Sequence, residues 1–311
     1  MSEKATVSLF IPQAASSYSD IRARAQSAES LGFHGYWVVD HVMAGGAPDL
    51  DFLEGWTTVA GLAEATERLR IGVLVTCNSF RNPGLLAKAV ATADHISGGR
   101  VELGMGAGWM EEEYKAYGFD FPSIGVRLAQ LEESLEIITS LFTNDRTTFE
   151  GEHYAFRDAP FAPKPVQTPL PITIGGGGKR VLMRLVAKYA QTWNCSMPTV
   201  PEIHEHIDAL RIHCDRVDRD FDDILISEQT AVVIGADEDD YKKKRELAEL
   251  VIGSFVDIDE MAVCGTPDQI TEVLRTKMKP GVRNFTIVFG DFGAPETLEL
   301  FAERVLPNLE I

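Results

Sequence analysis

Short apolar runs alternate with longer segments of helical periodicity along the whole chain. This alternation is typical of βαβ units built on a parallel sheet. Eight apolar runs are predicted as strands, at residues 7–11, 35–39, 69–76, 101–106, 171–175, 191–195, 224–234 and 284–290. Helices are predicted between and after them, at residues 18–31, 56–65, 83–96, 126–142, 179–189, 201–217, 238–251, 267–279 and 295–305.

Eight strands joined by helical crossovers predict a closed (β/α)8 TIM barrel, an α/β fold. An open doubly wound sheet is the alternative, but such sheets usually have fewer strands. Insertions are expected after strand 4 (107–125), before strand 5 (147–168, predicted as a hairpin over one mouth) and between strands 7 and 8. No internal repeat or linker indicates a boundary, so residues 1–311 are predicted to form one domain.

The composition restricts the partners of this barrel. Twenty-nine basic and 47 acidic side chains give a net charge of −18, which repels nucleic acid and anionic membrane surfaces. No apolar run reaches the roughly 18 residues of a membrane span. The four cysteines are scattered, which suits neither a disulfide framework nor a zinc site and predicts reduced thiols in a cytoplasmic protein.

Candidate chemistry is sought at the carboxyl ends of the strands, where β/α barrels place their active sites. Asp40 and His41 directly follow the apolar second strand, so a carboxylate and an imidazole are predicted to reach this face. The simpler alternative is that Asp40 caps the next loop and that His41 is a structural histidine.

Four consecutive glycines, Gly175, Gly176, Gly177 and Gly178, lie between the fifth strand and its helix. Bare backbone amides at the positive end of a helix dipole commonly hold a phosphate. Lys179 and Arg180 could supplement such an anion site. A flexible tight turn is the alternative.

A second glycine cluster, Gly104-Met105-Gly106-Ala107-Gly108-Trp109, follows the fourth strand. It is not the dinucleotide fingerprint GxGxxG, because Trp109 occupies the position of the third glycine. Close backbone approach beside an aromatic side chain fits a planar ring system, although such a tryptophan is often only packing. The acidic residues 111–113 are interpreted as a cap for the following helix.

Other kinds of site are disfavoured. His204, Glu205 and His206 lack the HExxH spacing of a zinc site, and no serine stands in a GxSxG motif, so no metal site or acyl-transfer nucleophile is expected. A histidine and two glycine-rich strand ends indicate a cofactor that performs the difficult chemistry itself.

These residues resemble the luciferase-like oxidoreductases over nearly the whole chain. The resemblance rests on Gly32-Phe33, Asp40-His41, the segments 75–83 and 94–109, the glycine run 174–178, and the segment 190–194. The family includes flavin-dependent monooxygenases and enzymes that use coenzyme F420, a deazaflavin. Within it, the chain looks most similar to the F420-dependent branch.

The resemblance implies a cofactor ring that leans on a bulge at the end of strand 3, often with a non-prolyl cis peptide. The implied cofactor-binding residues are Leu74, Val75, Thr76 and Asn78 near the ring, Gly106, Gly108 and Trp109 along the ribityl chain, and Gly175, Gly176, Gly177 and Gly178 at the phosphate. His41, with Asp40 beside it, corresponds to the histidine that several members place near the reactive ring carbon, where it exchanges a proton.

Two departures bear on the substrate. Sugar-phosphate dehydrogenases of the deazaflavin branch have an acidic residue after strand 1 and basic residues for the substrate phosphate, whereas Pro12-Gln13 and Cys195-Ser196-Met197 stand here. A sugar phosphate is therefore disfavoured. We expect F420-dependent hydride transfer on a small organic substrate. The alternatives are an FMN-dependent monooxygenase supplied by a flavin reductase and a ligand-binding barrel without catalysis; a homodimer is expected from the family.

Overall fold

The computed structural model of the protein describes residues 4–310. Its strands, in chain order, are β1 (Thr6–Phe10), β2 (Gly35–Val38), β3 (Arg70–Cys77), β4 (Val101–Gly106), β5 (Arg146–Glu150), β6 (Ala155–Pro160), β7 (Ile172–Gly175), β8 (Thr192–Cys195), β9 (Leu225–Ile234), β10 (Ala262–Gly265) and β11 (Val282–Phe289). Parallel pairing in the order β1, β2, β3, β4, β7, β8, β9, β11 returns to β1. This closed ring confirms the predicted barrel.

Helices connect the strands and surround the barrel. They are α1 (Tyr18–Ser30), α2 (Gly55–Ala65), α3 (Pro83–Ser97), α4 (Glu111–Tyr117), α5 (Ile124–Thr143), α6 (Leu182–Tyr189), α7 (Ile203–Arg216), α8 (Glu238–Val251), α9 (Ile258–Met261), α10 (Pro267–Met278) and α11 (Pro295–Arg304). The helix predicted from residue 179 begins three residues later, because positive φ angles at Gly176 and Gly178 keep the preceding loop out of helical geometry. Within residues 4–310, no helix is long and apolar enough to cross a membrane.

The predicted hairpin exists as the antiparallel pair β5–β6, but its predicted place over a mouth is wrong. It packs on the helical layer: Phe149 and Phe156 lie against the outer core, and Phe156 borders Gly84 at the start of α3. Glu133 of α5 fixes the hairpin turn by accepting hydrogen bonds from the backbone amides of residues 152–154. Local contacts with α3 and α5 therefore decide where this insertion lies.

Two apolar cores follow from the alternation of side chains along each strand. The outer core lies between strands and helices. The inner core fills one side of the barrel at its carboxyl end, with Phe10, Trp37, Val39, Leu74, Ala231, Val233 and Val288 pointing inward. Ile252, Val256 and Ile258, from the crossover after β9, cover this inner core. The insertion between the seventh and eighth barrel strands thus closes one side of the mouth.

The opposite side of the barrel interior is lined by glycine. Leu103 and Met105 of β4 belong to the outer core, so Gly104 and Gly106 between and after them face inward. A small cavity of about 60 Å³ lies deeper, toward the amino ends of the strands, among polar residues such as Ser8, Thr173 and Asn194. It has room for only a few water molecules and lies away from the catalytic face.

Candidate active site at the carboxyl end of the barrel

Asp40 is buried in an ion pair beyond the end of β2. Its carboxylate accepts hydrogen bonds from both terminal nitrogens of Arg81, at 2.6 and 2.8 Å, and from the Cys77 amide at 2.8 Å. Burial raises the pKa of Asp40, while the Arg81 guanidinium opposes this by stabilising the anion. Asp40 thereby ties the loop after β2 to the loop after β3.

His41 is paired with a buried carboxylate. Its Nδ1 lies 2.8 Å from Oε1 of Glu113, which is 2% exposed, and Oε2 of the same residue accepts the Val42 amide at 3.1 Å. Because a carboxylate only accepts, Nδ1 carries the hydrogen and Nε2 is left as the ring atom without a hydrogen bond among the described residues. The exposed ring of Trp109 meets the imidazole edge to face, with centroids 5.7 Å apart.

Glu113 was missed by sequence reasoning, which assigned it with its two neighbours to capping. It belongs to α4, and its helical neighbour at i+4, Tyr117, also reaches the same loop by donating to the Val42 carbonyl at 3.0 Å. A shared helix face at this spacing was the available signal. That pattern alone does not show which loop the face contacts, because the sequence does not give the position of the loop after β2.

The predicted irregularity at the end of β3 is present. The Leu74–Val75 peptide is cis, and the register against β4 shifts between Val73 and Thr76. The Val75 side chain lies against two glycines: a Cβ on Gly106 would overlap its Cγ2, and a Cβ on Gly175 would lie 2.7 Å from its Cγ1. Both glycines are therefore required by the bulge itself.

Residues around the bulge fit a bound group. Thr76 is buried and accepts a hydrogen bond from the Trp56 indole at 3.1 Å. Asn78 is 3% exposed, and its side-chain Nδ2 has no hydrogen-bond partner among the described residues. Because an unpaired buried donor costs free energy, a ligand acceptor here would complete the site.

Gly108 is also required by its surroundings. Its φ is +76°, and a Cβ would overlap the Tyr114 hydroxyl and lie 2.8 Å from Cys77 Sγ. The Tyr114 hydroxyl and Cys77 Sγ are themselves 3.0 Å apart. Burial raises the pKa of the Cys77 thiol to about 11, so it is protonated at neutral pH and is not a nucleophile.

Hydrogen bonds with residues of β8 and α7 fix the glycine loop 175–178. The Gly176 amide donates to the Asn194 carbonyl at 3.1 Å, and its carbonyl accepts the Trp193 indole at 2.9 Å. The Gly178 amide donates to His206 Nε2 at 3.3 Å. These contacts fix the loop while the amides of Gly177 and Lys179 form no hydrogen bond within residues 4–310.

Gly177 lies against the Thr199 side chain. A Cβ at this position would lie 2.7 Å from Thr199 Oγ1 and 3.4 Å from His206 Nε2, so only glycine fits here. We call the loop 175–178, with the Gly177 and Lys179 amides, the cradle. The expected help from Lys179 is not supported, because its ammonium pairs with Glu202 at 3.0 Å and with Glu205. Arg180 is exposed beside the loop. The geometry suits a phosphate bound by backbone amides at the start of α6.

The family model described as luciferase-like monooxygenase matches residues 5–284. The chain belongs to this family. Comparison with solved structures agrees on the fold: an F420-dependent secondary alcohol dehydrogenase, solved with an F420–acetone adduct, superposes with a TM-score of 0.87 at 20% identity, covering 98% of this chain and 99% of that one.

Two curated relatives of this luciferase-like protein are described as F420-dependent glucose-6-phosphate dehydrogenases. The one from Amycolatopsis mediterranei is 37% identical over 55% of this chain, and the match spans half of that enzyme's length. The one from Nakamurella multipartita is 27% identical over 94% of this chain and 92% of the enzyme.

Within the luciferase-like barrel, the predicted site residues lie after four strands that are neighbours in the ring. His41 and Asp40 follow β2, Asn78 follows β3, Trp109 follows β4, and the glycine loop follows β7. The structure therefore brings all of the predicted segments to one end of the barrel. No group of three or more His, Cys, Asp or Glu side chains suited to a metal occurs among residues 4–310.

Proposed function

We propose that this chain is an F420-dependent oxidoreductase that acts as a single domain on a small organic substrate. The bulge at Val75, seated on Gly106 and Gly175 beside the unpaired Asn78 amide, carries the proposal. These features form a rigid support for a planar cofactor, and the phosphate cradle lies at the end of β7, two strands along the ring from β3. The names of the two relatives favour F420 as that cofactor.

The residues that would hold F420 form three groups. Leu74, Val75, Thr76 and Asn78 would contact the ring, Gly106, Gly108 and Trp109 the ribityl chain, and the glycine loop the phosphate. When bound, F420 supplies two-electron hydride transfer, so the protein needs to provide orientation and a place for a proton.

His41 is the group that we assign to the proton. Glu113 fixes the imidazole through Nδ1, which presents Nε2 to the substrate. Asp40 was predicted together with His41 as catalytic. Because Arg81 and the Cys77 amide occupy its carboxylate, we propose a positioning role for Asp40 instead.

The charges near the mouth favour an uncharged substrate. Two cations there are already paired: Lys244 with Asp291 at 2.9 Å, and Arg245 with Asp259 at 2.7 Å. Gln13, after β1, is fully buried, and its side-chain amide is hydrogen-bonded to the backbone of Val39 and Leu53. These pairings support the expectation that a sugar phosphate is not the substrate, although the two relatives are named for one.

The family description favours one alternative, an FMN-dependent monooxygenase that receives reduced flavin from a partner reductase. The phosphate cradle would serve FMN equally well. We also propose that the chain forms a homodimer through its barrel helices and that it is located in the cytoplasm.

Anaerobic titration with F420 and FMN tests the cofactor assignment. We expect F420 to bind more tightly. Submicromolar FMN binding without detectable F420 binding would overturn it. Turnover is then sought by following the absorbance of oxidised F420 with a panel of neutral alcohols, aldehydes and enones. Activity confined to phosphorylated sugars would contradict the substrate class.

A further inference from the structure

A hydroxyl group from the segment after β8 borders the glycine loop and is paired with a second hydroxyl. Thr199 Oγ1 lies 2.7 Å from the position that a Cβ on Gly177 would take. Ser196 Oγ lies 3.0 Å from Thr199 Oγ1, and the Thr199 amide donates to the Ser196 carbonyl at 2.8 Å. One tight turn therefore holds the two hydroxyls together, with Thr199 beside Gly177.

Apart from Arg180, the charged or titratable side chains near the cradle are already paired. His206 Nδ1 lies 2.9 Å from the Glu202 carbonyl and must donate there, so Nε2, which accepts the Gly178 amide, is unprotonated. Lys179 is occupied by Glu202 and Glu205. An anion in the cradle thus depends on neutral donors, together with Arg180 at its exposed rim.

We propose that Thr199, with its hydroxyl oriented by Ser196, donates a hydrogen bond to the cofactor phosphate. The inference rests on the proposed function. Either hydroxyl can be the donor between Ser196 Oγ and Thr199 Oγ1. In the bound state Ser196 donates to Thr199 Oγ1, which leaves the Thr199 hydrogen to point toward the phosphate. The phosphate is then bound by the loop amides on one side and by Thr199 on the other.

A pair of probes that differ only in the phosphate tests this assignment: the deazaflavin riboside and its 5′-phosphate. Thr199→Val keeps the shape of the side chain and removes the hydroxyl. We expect about tenfold weaker binding of the 5′-phosphate, measured by fluorescence titration, with unchanged binding of the riboside. Thr199→Ser should restore the wild-type affinity, and Ser196→Ala should cause a smaller loss.

The outcomes separate this inference from the cofactor assignment. If Thr199→Val binds the 5′-phosphate as tightly as wild type, or loses both probes equally, Thr199 is not a phosphate ligand. The same variants are titrated with riboflavin and FMN. If wild type binds FMN and neither deazaflavin, the proposed cofactor fails, while a selective loss of FMN in Thr199→Val still supports the phosphate ligand. Binding of no probe overturns both proposals.

Discussion

Glu113 of α4 holds Nδ1 of His41 at 2.8 Å, although the two residues are 72 positions apart in the chain. The carboxylate is buried and the imidazole is partly exposed, with side-chain exposures of 2% and 24%. This arrangement fixes the orientation of the ring and leaves Nε2 directed away from its partner. Two predictions concern this pair.

Replacing His41 by Asn keeps a polar side chain but removes the group that exchanges a proton. We expect the turnover number to fall by about a hundredfold or more, the range that general acid–base catalysis contributes, while F420 affinity changes little. Steady-state kinetics and cofactor titration of the same preparation measure both quantities. A parallel loss of affinity and thermal stability would instead assign His41 a structural role.

Glu113→Gln removes the carboxylate that fixes the His41 ring through Nδ1 and disturbs the acceptor of the Val42 amide. We expect a tenfold or larger decrease in kcat with little change in F420 affinity. The matched control is Glu112→Gln, because Glu112 is the exposed neighbour on the same helix. Equal decreases in kcat for the two substitutions would show that the effect comes from the total charge of α4 and not from the contact between Glu113 and His41.

Gly106→Ala should destabilise the bulge, because the new Cβ would overlap Val75 Cγ2. The expected cost is about 1–3 kcal/mol in the free energy of unfolding, as for other overpacked sites. Val75→Ala should recover part of it in the double variant. A thermal or denaturant double-mutant cycle measures this coupling, and strict additivity of the two substitutions would argue against the contact.

Gly177→Asp places a side chain and a negative charge in the phosphate cradle. Cofactor affinity should decrease at least tenfold, equivalent to about 1.4 kcal/mol. Gly125→Asp serves as the control, because a Cβ on Gly125, in the first turn of α5, would meet only Ser123 Oγ, at 3.9 Å. Wild-type affinity in a folded Gly177→Asp protein would place the phosphate elsewhere.

The Cys77 thiol should make stability depend on alkaline pH. Burial raises its pKa from 9.0 to about 11, so between these values the unfolded chain loses the thiol proton first. The free energy of unfolding should therefore decrease as the pH rises from 9 to 11, by up to about 2–3 kcal/mol for this group. Urea unfolding at several pH values, compared with Cys77→Ser, measures the difference. Equal slopes for the two proteins would contradict it.

The sequence was sufficient to predict the barrel because alternating strand and helix periodicities are local and repeat eight times. It also located the glycine loop, which comes directly at the end of its own strand, whereas the bulge in β3 was implied by the resemblance to the luciferase-like family. The partners Glu113 and Thr199 could not be found in the same way. Their roles arise where separate loops meet, and a glutamate in a run of three or a threonine after a proline gives no local signal.

The placement of the hairpin and the pairing of Lys179 show the same limit. A run of aromatic and proline residues predicts that β5 and β6 pair with each other, but the choice between a mouth and the helical layer depends on Gly84 and α5. Likewise, Lys179 follows the glycines in sequence, but two carboxylates at and near the start of α7 bind its ammonium.

The segment that carries Ile252, Val256 and Ile258 covers only one half of the barrel mouth, whereas the glycines of β4 and β7 lie on the other half. No residue of the segment 252–258 is among the nearest neighbours of these glycines, so the entrance that this segment borders is separate from the glycine loop. Variation of residues 252–258 would reshape that entrance without touching the phosphate cradle. The fold thus places the entrance and the proposed cofactor contacts on different segments. The residues at the entrance can therefore vary in sequence while the cofactor-binding residues stay the same.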